Sequence, residues 1–533
     1  MTDEVVEQAQ RRRTVAIISH PDAGKSTMTE ALALHARLID TAGATHGKDN
    51  RRATISDWMA MEQERGISIS STVLQFVYAD HVINLVDTPG HADFSEDTYR
   101  VLCAVDCAIM LLDAAKGLEA QTRKLLDVCR RRGIPVITVV NKWDRPGLDA
   151  LQLLDDISQE TGMLPTPITW PVGIAGEFVG VLDRAKGSMV EFSRTAGGAT
   201  RAPERHLSAA EAAESHLLSW ATAVDEIALL DSEGQTHDDD LFRERFTTPV
   251  LFTAAASNFG VKFVLDAIID IAPAPTTQVD VHSVGRDIDA PFSAQVFKVQ
   301  AGMDSAHRDR TAFARLHSGR FERGMMVTHA QTDRNISTKY ARSLVGRERA
   351  TSDEAFPGDV IGIVNANDVR IGDTLYAGAA VTYPPMPSFL PEAFVTMRSR
   401  DSSRSKQFHR GLAQLDSEGV IQLLSSEARG PQRPVLGAVG LMQFEVAARR
   451  LRDEFRVEVE TEPLPFSVSR IVRPEDAAGI KDAGIEMLER SDSQVLAVFA
   501  DSWQLKRVQR THPDLALDES EEDMAFRQSV ALD

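Results

Sequence analysis

The sequence predicts an α/β chain in which a doubly wound, mostly parallel sheet comes first, a β-barrel domain second and an α+β domain third. Three observations carry this. Short apolar runs alternate with helix-period segments over the first half; turn signals punctuate short strands from Phe292 to Leu375; and strand-like and helix-like stretches interleave from about Pro387. At 533 residues the chain exceeds what one core organises, since about 150 residues per domain gives roughly three or four domains.

In chain order, Thr14 to Ser19, His81 to Asp87, Cys107 to Asp113, Pro135 to Asn141 and Val250 to Thr253 have the length and continuous apolarity of strands buried on both faces. Between them, Lys25 to Leu38, Leu118 to Arg132 and Leu148 to Thr161 have helical periodicity. From about Gly173 to Thr248 this alternation stops. A Gly-rich stretch, a helix opened by the capping box Ser208 with Glu211, and the acidic run Asp238 to Asp240 predict an insertion before the last strand. Pro273 and Pro275 close a helix, and Ser318-Gly319, Pro357-Gly358 and Gly372-Asp373 mark the turns of the barrel.

The expected domain limits are 1–280 with an insertion around 173–248, then 281–385, then 386–533. In the last of these, Phe394 to Met397, Val420 to Leu424, Val435 to Val439 and Val457 to Val459 read as strands around helices at Ser403 to Leu415 and Phe444 to Phe455. Asp518, Glu519 and Glu521 to Asp523 read as a solvated acidic tail.

With 58 basic against 78 acidic residues, the formal net charge is -20. Bulk electrostatics therefore oppose nonspecific attraction to a phosphate backbone, and any nucleic-acid contact must be local. The basic run Arg11 to Arg13 precedes only the short apolar run Val15 to Ile18, and no later stretch approaches about 18 uninterrupted apolar residues, so a cytoplasmic chain without membrane contact is expected. Cys103, Cys107 and Cys129 lack C-x-x-C spacing and lie in apolar segments, as buried reduced thiols do.

The chemistry concentrates at strand ends. Ser19-His20-Pro21-Asp22-Ala23-Gly24-Lys25-Ser26 follows the first strand and opens the first helix, where successive backbone N–H groups can cradle a β-phosphate. Lys25 supplies a point charge to the β and γ oxygens, the Ser26 hydroxyl would hold Mg²⁺, and Thr27 is the last of the expected nucleotide-binding residues of this loop. The usual pattern begins with Gly; Ser19 departs from it. Asp87-Thr88-Pro89-Gly90 ends another strand with a carboxylate suited to Mg²⁺ through water and a glycine able to offer its N–H to a γ-phosphate.

Asn141-Lys142-Trp143-Asp144 ends a third strand and sets the base. An ionised Asp144 accepts from N1–H and the exocyclic N2–H of guanine while Asn141 faces O6 and N7; adenine lacks those paired donors. Three such motifs in order predict binding and hydrolysis of GTP, with GDP as product, in a P-loop GTPase domain. A last base contact is expected from a backbone N–H at Ala254 or Ala255, although Ala254 lacks the hydroxyl that braces many such turns. Gly43 to Arg65, leading into Gly66-Ile67-Ser68-Ile69, has the composition of a segment that orders around ligand; Ser68 would add its hydroxyl to Mg²⁺, or else is a strand-edge serine. His91 follows Gly90 and is the candidate catalytic residue, placed to orient the attacking water.

Taken together, Ser19 to Ser26, Arg65-Gly66-Ile67-Ser68-Ile69, Asp87 to Phe94 and Asn141 to Asp144 make the chain resemble the translational GTPases over nearly its whole length. Ser19 to Gly24, Asp93 to Arg100 and Ser257-Asn258-Phe259-Gly260 resemble the release-factor-three branch rather than elongation factor G, which continues into further domains. The resemblance implies a monomer that binds ribosomal RNA and proteins of the terminating ribosome and exchanges GDP for GTP. It then promotes departure of a class one release factor and leaves after hydrolysis. It also implies that ribosomal RNA sets His91 in place, which would make the isolated protein a slow GTPase. Arg404, Lys406, Arg410, Arg449, Arg450 and Arg452 are candidate local RNA contacts, although a solvated helix face explains the same charges. Two other functions stay open at this stage: an elongation or ribosome-protection GTPase, and a GTP-dependent binding module with negligible hydrolysis.

Overall fold

The computed structural model describes residues 2–38, 71–195, 200–301, 310–345, 348–351, 353–364, 368–386, 389–426, 429 and 433–518. The candidate switch segment, with Ser68, and the acidic residues after Asp518 lie outside them.

The first sheet begins with β1 (Arg12–Ser19), β2 (Thr72–Tyr78), β3 (His81–Asp87), β4 (Cys107–Asp113), β5 (Val136–Asn141) and β6 (Leu164–Pro167). An insertion then carries β7 (Thr169–Val172), β8 (Gly180–Asp183), β9 (Ser188–Phe192) and β10 (Glu204–Leu207) as a separate antiparallel sheet, before β11 (Thr247–Phe252) returns to the first. The seven-stranded order is β2-β3-β1-β4-β5-β11-β6. Every neighbouring pair is parallel except β2 with β3.

Period-two alternation explains the two layers of core. Ala16, Ile18, Met110, Leu112 and Val140 enter one apolar cluster, whereas Val15, Ile17, Ile109, Leu111 and Val139 enter another on the opposite face. Strand β6, Leu-Pro-Thr-Pro, is not among the strands expected from the sequence. It is tolerated at the sheet edge, where a missing N–H leaves no ladder partner unpaired. Likewise β11 starts at Thr247, ahead of the expected Val250, and Pro249 lies within it opposite Thr166 of β6. The small antiparallel sheet begins at Thr169, earlier than the Gly-rich stretch suggests. The Ser208–Glu211 capping box is formed.

The second domain is an eight-stranded antiparallel sheet wrapped around Phe292, Val296, Leu316, Phe321, Ile361 and Leu375. It is tied to the first through β1: Arg12 Nε lies 2.7 Å from Asp359 Oδ2, and Thr14 Oγ1 donates to Gly358 O at 2.7 Å. Arg315 adds a buried pair with Asp106 at 2.5 Å. The third domain is another eight-stranded antiparallel sheet, with helices Ser405–Ser417 and Met442–Phe455 packed through Phe408, Leu412, Leu415 and Leu451. Its strands Val468–Val472, Glu486–Arg490 and Val495–Phe499 go beyond those expected from the sequence, although Val495 to Phe499 is an apolar run of strand length.

Candidate active site

The phosphate loop joins β1 to helix Lys25–His35 at the carboxyl end of the parallel sheet, where a doubly wound fold opens its crevice. The loop turns through Asp22 at φ 68° and Gly24 at φ 97°. At Gly24 a side chain is excluded twice over: the backbone is left-handed, and a Cβ would stand 2.6 Å from Asn141 Nδ2. Ala23 and Lys25 are buried, Ser26 is half-buried, and Pro21, Asp22 and Thr27 are exposed. The Ser19 hydroxyl, standing where a glycine is usual, donates to His20 O at 2.9 Å and so is absorbed within the loop.

The strand-end motifs converge on this loop. Asp87 is registered with Ile17 of β1, and Thr88 Oγ1 donates to Ile17 O at 2.6 Å. A Cβ on Gly90 would lie 3.1 Å from Lys25 Nζ and 3.6 Å from Pro21 Cα, so the backbone at Gly90 passes directly over the phosphate loop. His20 is buried with Nε2 3.1 Å from Glu119 Oε2, yet burial holds its pKa below the ordinary value, outweighing the opposing pull of Glu119.

Asn141 is the hub. Its Nδ2 donates to Ala23 O at 2.9 Å, and its Oδ1 accepts from Ala255 N–H at 2.9 Å and Thr253 Oγ1 at 3.3 Å. One amide therefore fastens the phosphate loop to the loop after β11. Lys142, at φ 66°, reaches back so that Nζ bonds Asp22 O and Asp113 Oδ2, the latter at 2.8 Å. Burial alone would raise the Asp113 carboxyl; the Lys142 ammonium and the Ala115 N–H outweigh it and hold the group below the usual carboxylate range. Asp144 Oδ2 accepts from Ser257 Oγ at 2.8 Å, which orients that carboxylate.

The last loop differs from expectation. Ala254 N–H is engaged by Phe259 O at 3.0 Å and Ala255 N–H by Asn141, so in this arrangement neither is available to guanine O6. The reciprocal Ala254–Phe259 bridge braces the turn in place of a hydroxyl at Ala254. Sequence reasoning misses Asp113 and Glu119 because nothing in their local sequence marks them. Ser257 stands out only as part of a motif. Ser68 lies outside the described residues.

His91 is partly exposed, with Nδ1 3.3 Å from both the N–H and Oδ1 of Asp93. Of the basic residues considered for RNA, Arg450 is buried between Glu418 at 2.7 Å and Glu454 at 2.5 Å and is unavailable to any ligand. Arg404 donates to Arg456 O, and Arg449 and Arg452 both face Asp453.

Residues 10–274 match the family described as elongation factor Tu GTP binding domain, 291–378 elongation factor G domain 2, and 383–509 class II release factor RF3, C-terminal domain. A peptide chain release factor 3 of Gloeobacter violaceus is 44% identical over 96% of this chain and 97% of its own. The chain belongs to the peptide chain release factor 3 family. Relatives of that name from a Synechocystis species (44% identical, 97% of this chain, 95% of the relative) and Symbiobacterium thermophilum (43%, 96% and 98%) agree. A crystal structure from Thermus thermophilus shares the fold over 86% of this chain and 68% of its own, with TM-score 0.69 at 23% identity. As a member of the peptide chain release factor 3 family, the protein is a ribosome-associated GTP hydrolase of translation termination that binds guanine nucleotide. Among the described residues no helix is long and apolar enough to cross a membrane.

Proposed function

We propose that the protein promotes dissociation of class one release factors from the terminating ribosome, and that the residues above divide the work as follows. The N–H groups of Ser19 to Gly24 and the Lys25 ammonium hold the β- and γ-phosphates. Ser26 and Asp87 are the oxygen donors that would hold Mg²⁺, which when bound neutralises charge between the phosphates; a hydroxyl and a buried carboxylate are the hard oxygen donors this ion prefers. Asn141 and Asp144 read guanine, beside the Ala254–Ala255 turn that Asn141 braces. The Gly90 N–H faces the γ-phosphate, and His91 orients the attacking water once ribosomal RNA sets it in place. Ser68 would join the Mg²⁺ shell in the triphosphate state. The protein acts as a cytoplasmic monomer, in domains divided near residues 280 and 385.

One observation carries the reading: Asn141 joins Ala23 to Ala255 while Ser257 aims Asp144, so phosphate and base recognition share a single braced frame. The test is single-turnover GTP hydrolysis with and without ribosomes, followed by dissociation of a labelled class one factor from a termination complex. Hydrolysis that ribosomes do not accelerate, or acceleration without loss of the labelled factor, would reject it.

A further inference from the structure

His91 sits in a turn that the third domain holds. Among the described residues the ring meets Asp93 and Phe94, the latter at 6.2 Å between centroids in an edge-on arrangement. With Nδ1 bare the ring accepts the Asp93 N–H; with Nδ1 protonated it donates to the Asp93 carboxylate. In either state its partner is Asp93. Phe94 is buried against Val446, with Val420 and Met442 beside it, all from the third domain.

Asp93 is itself fixed from across the domain boundary. Its Oδ2 accepts from Met442 N–H at 2.8 Å, one of the orphan donors in the first turn of helix Met442–Phe455. The preceding amides, of Val439 and Gly440, are taken by Gln443 Oε1 at 2.9 and 3.1 Å. Asp93 thus completes the cap of a helix 349 residues away in sequence. The fit has no slack: a Cβ built on Gly440 would fall inside the Asp93 carboxylate, although the Gly440 backbone lies outside the left-handed region and would otherwise accept alanine.

We propose that Asp93 is a positioning residue through which the seated third domain parks His91 over its own turn, facing Phe94, and so keeps hydrolysis slow until the helix start at Met442 lets go. The inference rests on the role proposed above for His91. Because Gly440 touches Asp93 and not the nucleotide loops, it offers a handle on the chemical step from another domain. Gly440→Ala levers the helix start away from Asp93, and Asp93→Ala removes the bond from the other side.

The experiment measures ribosome-free single-turnover GTP hydrolysis by the full chain for Gly440→Ala and Asp93→Ala, each alone and combined with His91→Ala, alongside GTP affinity and thermal unfolding. Release of one such hydrogen bond should speed hydrolysis about 2- to 10-fold, with GTP affinity unchanged, and the gain should vanish in the His91→Ala background. Whichever single variant stays folded decides the question. Unchanged or slower hydrolysis, or acceleration that survives loss of His91, overturns the proposal. If His91→Ala alone leaves ribosome-stimulated turnover intact, the reading of His91 fails instead, and the two failures are distinguishable.

Discussion

Replacing Asn141 with alanine isolates the frame that joins the two halves of the proposed nucleotide site. The side chain is 2% exposed and makes three hydrogen bonds. The Thr253 hydroxyl retains a second partner, Val140 O at 3.3 Å, so its loss is small. Ala23 O and Ala255 N–H lose the partner Asn141 supplied, in residues only 0% and 3% exposed, where water cannot readily substitute. A buried polar group left unpaired costs about 1–3 kcal/mol, so the two together cost about 2–6 kcal/mol. Even the lower bound, expressed as binding, corresponds to about 30-fold weaker affinity. A fluorescent GDP titration with wild type and Asn141→Ala, with thermal unfolding as a control for folding, reads this directly. A folded variant whose GDP affinity falls by less than about threefold would refute the idea that this amide sets the relative placement of the two loops.

The remaining expectations concern base choice, chemistry, loop geometry and acid stability. Asp144→Asn should move preference from guanine toward xanthine nucleotides by about 10²-fold or more, because an amide donates where the carboxylate accepted; competition between GDP and xanthosine diphosphate measures it, and unchanged selectivity would remove the base assignment. His91→Ala should leave GTP affinity near wild type and lower ribosome-stimulated turnover by about 10²-fold or more; an equal loss of binding would mark a structural histidine instead. Gly24→Ala should abolish measurable nucleotide binding, since it meets both a left-handed backbone and Asn141; near-normal calorimetric titration would contradict that crowding. In the second domain, burial and the neighbouring Arg315 push His317 down to about 3 from an ordinary 6.5. The unfolded chain therefore takes up the proton first, and stability should fall as pH drops from about 6.5 towards about 3, at up to about 1.4 kcal/mol per pH unit. Urea unfolding of wild type and His317→Gln at pH 7.5, 6 and 5 should show a shallower loss in the variant, and parallel curves would exclude the buried neutral imidazole.

Legibility followed the range of the interactions. The strands β3 and β4 were readable to the residue because continuous apolar runs suffice to mark a strand buried on both faces. Strand β6 was not, because its place at the edge is what makes its two prolines acceptable, and edge position is a property of the whole sheet. The same holds in the site. Lys25, Asp87, Asn141 and Asp144 stand in motifs whose spacing is local, whereas Asp113 joins them only by lying 2.8 Å from Nζ of Lys142, just past the end of the neighbouring strand. Arg450 shows the converse: a basic run that could meet solvent is partly consumed by Glu418 and Glu454 once the helices pack.

By itself the sequence determined the buried strands of the first sheet, the motifs at their ends and the family to which these belong, because each is encoded within a few consecutive residues. Only the tertiary structure decided that Asn141 ties Ala23 to Ala255, occupying the Ala255 amide, and that Asp93 caps a helix of the third domain. Hydrogen-bond partners that lie more than a hundred residues apart are selected by packing, and no local pattern records them.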